Sequence, residues 1–133
     1  MSEAQPIKIA SLVFIKDGKV LMVSKRDGEL LSLLPGGKIK RGETPLKAAV
    51  REAKEELDLD VTSLVKIFSN NAGRTFCTTF LVTGYTGLIN PEEGLQVGWV
   101  EVDKLPEVGV YRHYYSRVTN ILHDVTNSLK SLI

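Results

Sequence analysis

Residues Leu34–Leu59, LPGGKIKRGETPLKAAVREAKEELDL, constrain this chain more than any other stretch. Thr44-Pro45 reads as an N-cap followed by proline at the first helical position, where the missing N–H costs nothing and the fixed φ suits the helix. A helix is therefore expected to start there. At about 100° per residue, Leu46, Ala49, Val50, Ala53 and Leu57 fall on one apolar stripe, while Glu52, Glu55 and Glu56 share a separate lateral strip. Carboxylates this close repel one another. Arg51, four residues before Glu55, offsets part of the repulsion, and the remainder suits a hard divalent cation. Magnesium is the natural candidate, because it takes a few carboxylates and keeps waters and phosphate oxygens in its other positions. The plain alternative is a solvated acidic helix face. Against it stands the preceding loop, where Gly36, Gly37 and Gly42 allow positive φ and close approach, and Glu43 adds a further carboxylate just before the helix.

With 133 residues, 43% of them hydrophobic, the chain can bury one proper core and is too short for two ordinary ones, so a single domain over residues 1–133 is expected. Seventeen basic against sixteen acidic residues leave a net charge of +1, which gives no broad electrostatic case for nucleic acid or an anionic membrane. The single Cys77 excludes an intramolecular disulfide, and its setting in TFCTTFLV is that of a buried strand thiol. No basic-then-apolar leader is visible at the N-terminus, and no apolar run approaches the roughly 20 residues that span a bilayer. A soluble, cytoplasmic protein is expected.

The run Ile7–Ile15 reads as a strand, Asp17-Gly18 as a tight turn and Val20–Val23 as the returning strand of a hairpin. Ser24–Gly28 is a basic, turn-rich segment in which Lys25 and Arg26 are candidates for phosphate contact, or are simply solvated charges. After the helix, Leu64–Ser69 and Thr75–Thr83 read as strands joined by a turn at Asn70–Gly73. Gly84–Leu95 is expected to be a polar loop, Gln96–Val102 a short strand, and the chain from about Arg112 onward a long amphipathic helix. Strands mixed with two principal helices suggest a mixed β-sheet packed between helices.

Gly37, Glu43, Arg51-Glu52-Ala53, Glu55-Glu56 and Asp58-Leu59 stand at the spacing of the Nudix box, G-x5-E-x7-R-E-U-x-E-E-x-G-U with U a bulky aliphatic residue, and the chain resembles the MutT-like Nudix hydrolases on that ground. The glycine, four glutamates and arginine match. Ala53 is smaller than the usual aliphatic, and Asp58 replaces the second glycine at the helix end, where a left-handed residue is wanted. The resemblance implies the Nudix-type α/β/α sandwich with its mixed sheet between helices. It also implies Mg2+, with Mn2+ as the alternative, held by Glu52, Glu55 and Glu56. Gly36 and Gly37 would shape the phosphate loop, Glu43 and Arg51 would brace it, and Arg51 would orient the carboxylates. The general base would be Glu55 or an acid outside the box, Glu92 or Glu93.

The implied reaction is hydrolysis of the pyrophosphate link of a nucleoside diphosphate joined to a moiety X. A nucleoside triphosphate, modified or oxidised forms included, would give a nucleoside monophosphate and pyrophosphate. ADP-ribose, another nucleotide sugar or a diadenosine polyphosphate is the alternative substrate, although sugar-nucleotide members often carry a proline after the box and none lies between Pro45 and Pro91 here. An alternative of another class is a non-catalytic nucleotide-binding sensor, which would be marked by lost box acids. The base pocket must come from outside the box. Phe76, Phe80, Tyr85, Tyr111, Tyr114 and Tyr115 are stacking candidates and Arg112 a polar one, against the usual alternative that strand and helix aromatics are packing. The expected partner is a small nucleotide and no membrane, with a monomer or homodimer as the assembly.

Overall fold

A computed structural model describes residues 6–24, 31 and 33–104. In chain order the elements are β1 (Ile7–Val13), β2 (Ile15–Lys16), β3 (Lys19–Ser24), β4 (Gly36–Lys38), α1 (Pro45–Leu57), β5 (Asp60–Ala72), β6 (Thr75–Thr86) and β7 (Gln96–Glu101), with a 3-10 turn at Val102–Lys104. The described residues fall into two compact units, one drawn from residues 6–14 and 34–93, the other from residues 15–24, 31, 33 and 94–104.

The first unit carries a mixed sheet of order β4-β1-β6-β5 with α1 packed on it. β1 runs parallel to β6 and antiparallel to β4, and β5 and β6 form an antiparallel hairpin. Ala10, Leu12 and Val13 are fully buried, as an interior strand covered on both faces requires. The register Ile9↔Lys38, Ala10↔Gly37, Ser11↔Gly36 lays the glycine loop along β1 as a strand of its own. Gly36 adopts φ 144°, and a Cβ there would overlap the Ala10 carbonyl oxygen. Only glycine permits this approach.

Two expectations about the strands change. Ile7–Ile15 does not run as one arm of the first hairpin, because Ile7–Val13 joins the mixed sheet and only Ile15–Lys16 turns back against Lys19–Val20. The second hairpin is longer than Leu64–Ser69 with Thr75–Thr83. Asn70 and Asn71 pair with Cys77 and Phe76 inside the ladder, leaving Gly73, at φ 64°, and Arg74 as a two-residue turn. Cross-strand pairing overrides the turn preference of the asparagines, and glycine at the first central position supplies the needed backbone. Register shifts interrupt β5 and β6 at Val61/Ser63, Ser63/Leu64 and Lys66/Phe68.

The second unit holds an antiparallel sheet of order β2-β3-β7. Asp17 and Gly18, at φ 53° and 72°, make the tight turn that their sequence announces. Val20–Val23 is buried throughout and pairs with Val97–Val100. The helix expected from Arg112 onward lies outside the described residues. Among the described residues no helix is long and apolar enough to cross a membrane.

Candidate active site

Helix α1 begins as its sequence predicts. Thr44, extended at φ −77° and ψ 155°, accepts the Lys47 N–H on Oγ1 at 3.2 Å, and Pro45 opens the helix. Its buried face differs from the expected stripe: Ala48, Ala49, Ala53 and Leu57 are buried, whereas Leu46 is 47% exposed. Small residues let the helix lie close to the sheet, and the face rotates to bring Glu56 inward. The three box acids therefore do not share one environment. Glu56 is 3% exposed, while the side chains of Glu52 and Glu55 are 14% and 50% exposed.

Three consecutive residues of β4 meet three side chains of α1. The Gly36 N–H donates to Glu56 Oε1 at 2.7 Å. The Glu52 carboxylate lies over Gly37, where a Cβ would fall 2.5 Å from Oε1. The Lys38 carbonyl accepts from Arg51 Nη2 at 3.0 Å. The glycines thus act through what they leave empty.

Arg51 gathers the remaining acids. Its Nε and Nη2 reach Glu43 Oε2 and Oε1 at 2.8 and 2.9 Å, a bidentate pair, and Nη1 reaches Glu52 Oε1 at 2.9 Å and Glu55 Oε2 at 3.0 Å. Glu43 also accepts the Lys40 N–H at 3.0 Å. These bonds, the guanidinium first and the backbone amide second, pull the Glu43 carboxyl down to about 2. Hydrogen bonding to Glu43 in turn raises the Arg51 guanidinium above its ordinary value, with Glu52 adding to the effect. Such planar two-pronged recognition is specific to arginine.

Among the described residues, no three His, Cys, Asp or Glu side chains converge as a metal centre in this arrangement. The donor chemistry nonetheless fits a hard divalent ion. Glu52 and Glu55 meet at one guanidinium nitrogen, and each engages it through one oxygen only, leaving a second oxygen ligand of the kind magnesium takes.

The loop after β6 is fastened to the C-terminal end of α1. The Asn90 N–H donates to the Leu57 carbonyl and the Glu92 N–H to the Glu56 carbonyl, each at 2.9 Å. Glu92 and Glu93 are exposed on that loop. Phe76 is half-buried on β6 between Lys8 and Asn71, away from any bond to the box. Tyr85 stands edge-on to Phe14 with ring centroids 5.3 Å apart. Arg26, Tyr111 and Arg112 lie outside the described residues.

Several participants carry no signal in the sequence. The Gly36 amide and Lys38 carbonyl are backbone groups, present at every position, and only the docking of β4 beside α1 selects them. Ser11, Cys77 and Thr79 form a buried polar row on one face of β1 and β6, with Ser11 Oγ to Cys77 Sγ at 3.2 Å and Cys77 Sγ to Thr79 Oγ1 at 3.8 Å. The parallel register that aligns them could not be read from either strand alone.

Comparison with known proteins agrees with this geometry. The NUDIX domain family model matches residues 6–118. The chain is 28% identical over 121 residues to the 8-oxo-dGTP diphosphatase of Buchnera aphidicola subsp. Schizaphis graminum (strain Sg), covering 85% of this chain and 88% of that protein. Over 60 residues it is 37% identical to the dihydroneopterin triphosphate diphosphatase of Escherichia coli (strain K12), covering 44% of this chain and 40% of that protein. A solved structure from a study of MutT from Aliivibrio salmonicida and Vibrio cholerae superposes with a TM-score of 0.75 at 24% identity, covering 89% of this chain and 98% of that one. The fold is that of Nudix proteins, an α/β/α sandwich. A family match that takes in both the β4–α1 segment and most of the chain around it leads to one conclusion: the chain belongs to the NUDIX family and is a MutT-like Nudix hydrolase.

Proposed function

We propose that the protein hydrolyses the pyrophosphate link of a nucleoside triphosphate, modified or oxidised forms included, to a nucleoside monophosphate and pyrophosphate. The observation that carries this reading is the convergence of Glu43, Glu52 and Glu55 on Arg51 beside the glycine strand. Water adds across one P–O–P link, so that one phosphorus gains a hydroxyl and the bridging oxygen leaves with the other phosphate. Glu52, Glu55 and Glu56 would hold Mg2+, or Mn2+ in its place. When bound, such an ion neutralises pyrophosphate charge and acidifies a water molecule. Arg51 keeps Glu52 and Glu55 aimed and is itself aimed by Glu43. Glu56, with its Oε1 on the Gly36 amide, ties the helix to the glycine strand. Glu55 or Glu93 would take the proton from the attacking water, Glu93 from the loop held at the helix end.

A triphosphate substrate is supported by the names of the two relatives, both of them triphosphate diphosphatases. A single catalytic domain is supported by a family match whose residues 6–118 draw on segments of both units. Action on free nucleotides in the cytoplasm fits the same reading.

The test is a panel of 8-oxo-dGTP, ordinary nucleoside triphosphates, dihydroneopterin triphosphate, ADP-ribose and diadenosine tetraphosphate, with products separated chromatographically in magnesium and after chelation. Cleavage of triphosphates to monophosphate and pyrophosphate, abolished by the chelator, is expected. Cleavage of ADP-ribose alone would move the substrate, and tight nucleotide binding without cleavage would make the protein a sensor.

A further inference from the structure

A formal net charge of +1 conceals a separation of charge that only the fold reveals. In the first unit, β1 and β6 start at the end of the sheet where β4 and β5 finish. Six cations gather there, and backbone hydrogen bonds fix their neighbourhood. The Ile7 N–H donates to the Arg74 carbonyl and the Ile39 N–H to the Lys8 carbonyl, each at 2.9 Å, which brings Arg74 and Lys8 beside Lys38 and Lys40. Arg41 follows, and the Glu43 N–H on the Lys40 carbonyl, at 3.0 Å, turns the loop into the helix that carries Lys47. All six side chains are exposed, and among the described residues none forms an ion pair. The one acid of the loop, Glu43, is already committed to Arg51. Asp58, Asp60, Glu92 and Glu93 lie at the opposite end, where α1 stops and β5 begins.

A ladder row at the basic end adds a ring. Lys8 pairs with Phe76 and Phe76 with Asn71, so cation, phenyl ring and amide lie side by side on one face of β1, β6 and β5. Phe76 is half-buried, while Lys8 and Asn71 are exposed. Cations crowded together without acids to answer them raise the local potential and draw in anions. A free nucleotide concentrates its charge at one point. Cations spread over two strands, a loop, a turn and a helix start match a chain of phosphates instead. A partly exposed ring is what bases stack on, and a single strand offers its bases unpaired. The exposed aliphatics nearby, Ile7 and Leu46, are single side chains and make no apolar face of the kind that enters a bilayer.

We propose that this end of the first unit binds single-stranded nucleic acid, with the six cations on its phosphates and Phe76 against one base. The proposal goes beyond the hydrolytic reading and does not depend on it, because the proposed hydrolysis uses none of the six side chains.

The test is fluorescence anisotropy of a labelled oligo(dT) of about twelve nucleotides, alone and as its duplex with oligo(dA), across a salt titration. Co-sedimentation with vesicles of phosphatidylglycerol and phosphatidylcholine runs beside it. Wild type should bind the single strand with log K falling against log salt at a slope of about −4, as six phosphate contacts give. The double variants Lys8→Glu/Arg74→Glu and Arg41→Glu/Lys47→Glu should each weaken binding roughly tenfold or more at low salt and flatten the slope. Both should hydrolyse free nucleotide at the wild-type rate, and thermal unfolding checks that both fold. Lys16→Glu/Lys19→Glu makes the same change in net charge on β2 and β3 and should bind as wild type. Phe76→Leu, which keeps an apolar side chain without the ring, should lose roughly fivefold or more in affinity for the single strand. Absence of binding at low salt would overturn the proposal, as would wild-type affinity in either basic-end double variant or in Phe76→Leu. An equal loss in Lys16→Glu/Lys19→Glu, tighter binding of the duplex, or capture by vesicles without binding of the single strand would overturn it too.

Discussion

Arg51 commits every guanidinium nitrogen: Nε and Nη2 to Glu43, Nη1 to Glu52 and Glu55, and Nη2 also to the Lys38 carbonyl. A lysine carries the charge without the fork, so Arg51→Lys should lose roughly ten- to a hundredfold in kcat/KM and fail to rescue Arg51→Ala. Steady-state kinetics on the preferred nucleotide check this. Glu43 makes the same bonds visible in acid. Its folded value of about 2 lies below the ordinary 4.5, and a depressed carboxylate contributes stability that is full above the unfolded value and lost as pH falls through the folded one. The stability gap between wild type and Arg51→Ala should therefore be widest above pH 4.5 and shrink as pH falls from 4.5 toward 2. Denaturant unfolding across that window measures it, and a constant gap would contradict the account. Gly36 is the residue least open to change. At φ 144° and against the Ala10 carbonyl, Gly36→Ala should lose about 3 kcal/mol or more by the same measurement.

At the scale of elements, α1 was the most legible part of the chain, because its start, its end and one of its faces are set by local chemistry. Thr44 and Pro45 cap it, and Asp58 ends it in the left-handed conformation. What could not be read locally is where the helix leans. Packing on the sheet turns Ala48 inward and leaves Leu46 out, and it buries Glu56 because the Gly36 amide is there to receive it. Likewise a Gly-Gly-Lys strand has no alternation to betray it, and β4 forms only because β1 offers an edge. Ile7–Ile15 divides between two sheets at Phe14, a choice made by distant partners. The close approach of α1 carries a prediction against the family pattern. Ala53 is fully buried, so Ala53→Leu, although nearer the usual bulky aliphatic, should overpack and destabilise by about 1–3 kcal/mol, measured by denaturant unfolding.

For the whole molecule, the proposed function divides the labour: the box segment would set the reaction class, and residues elsewhere would choose the substrate. The clustering of Glu43, Glu52 and Glu55 about Arg51 was legible while the pocket was not, because side chains at fixed helical spacing meet by local geometry, whereas a base pocket is assembled from strands and loops by tertiary contact. Phe76 illustrates the difficulty, since its half-buried place on β6 serves packing as readily as stacking. The catalytic claim is independent of which nucleotide fits. It is tested most directly by turnover of the best substrate across a magnesium titration, for wild type, Glu55→Gln and Glu56→Gln. The account predicts magnesium-dependent release of monophosphate and pyrophosphate by wild type and losses of roughly a hundredfold or more in kcat in both variants; undiminished turnover in both variants would contradict it.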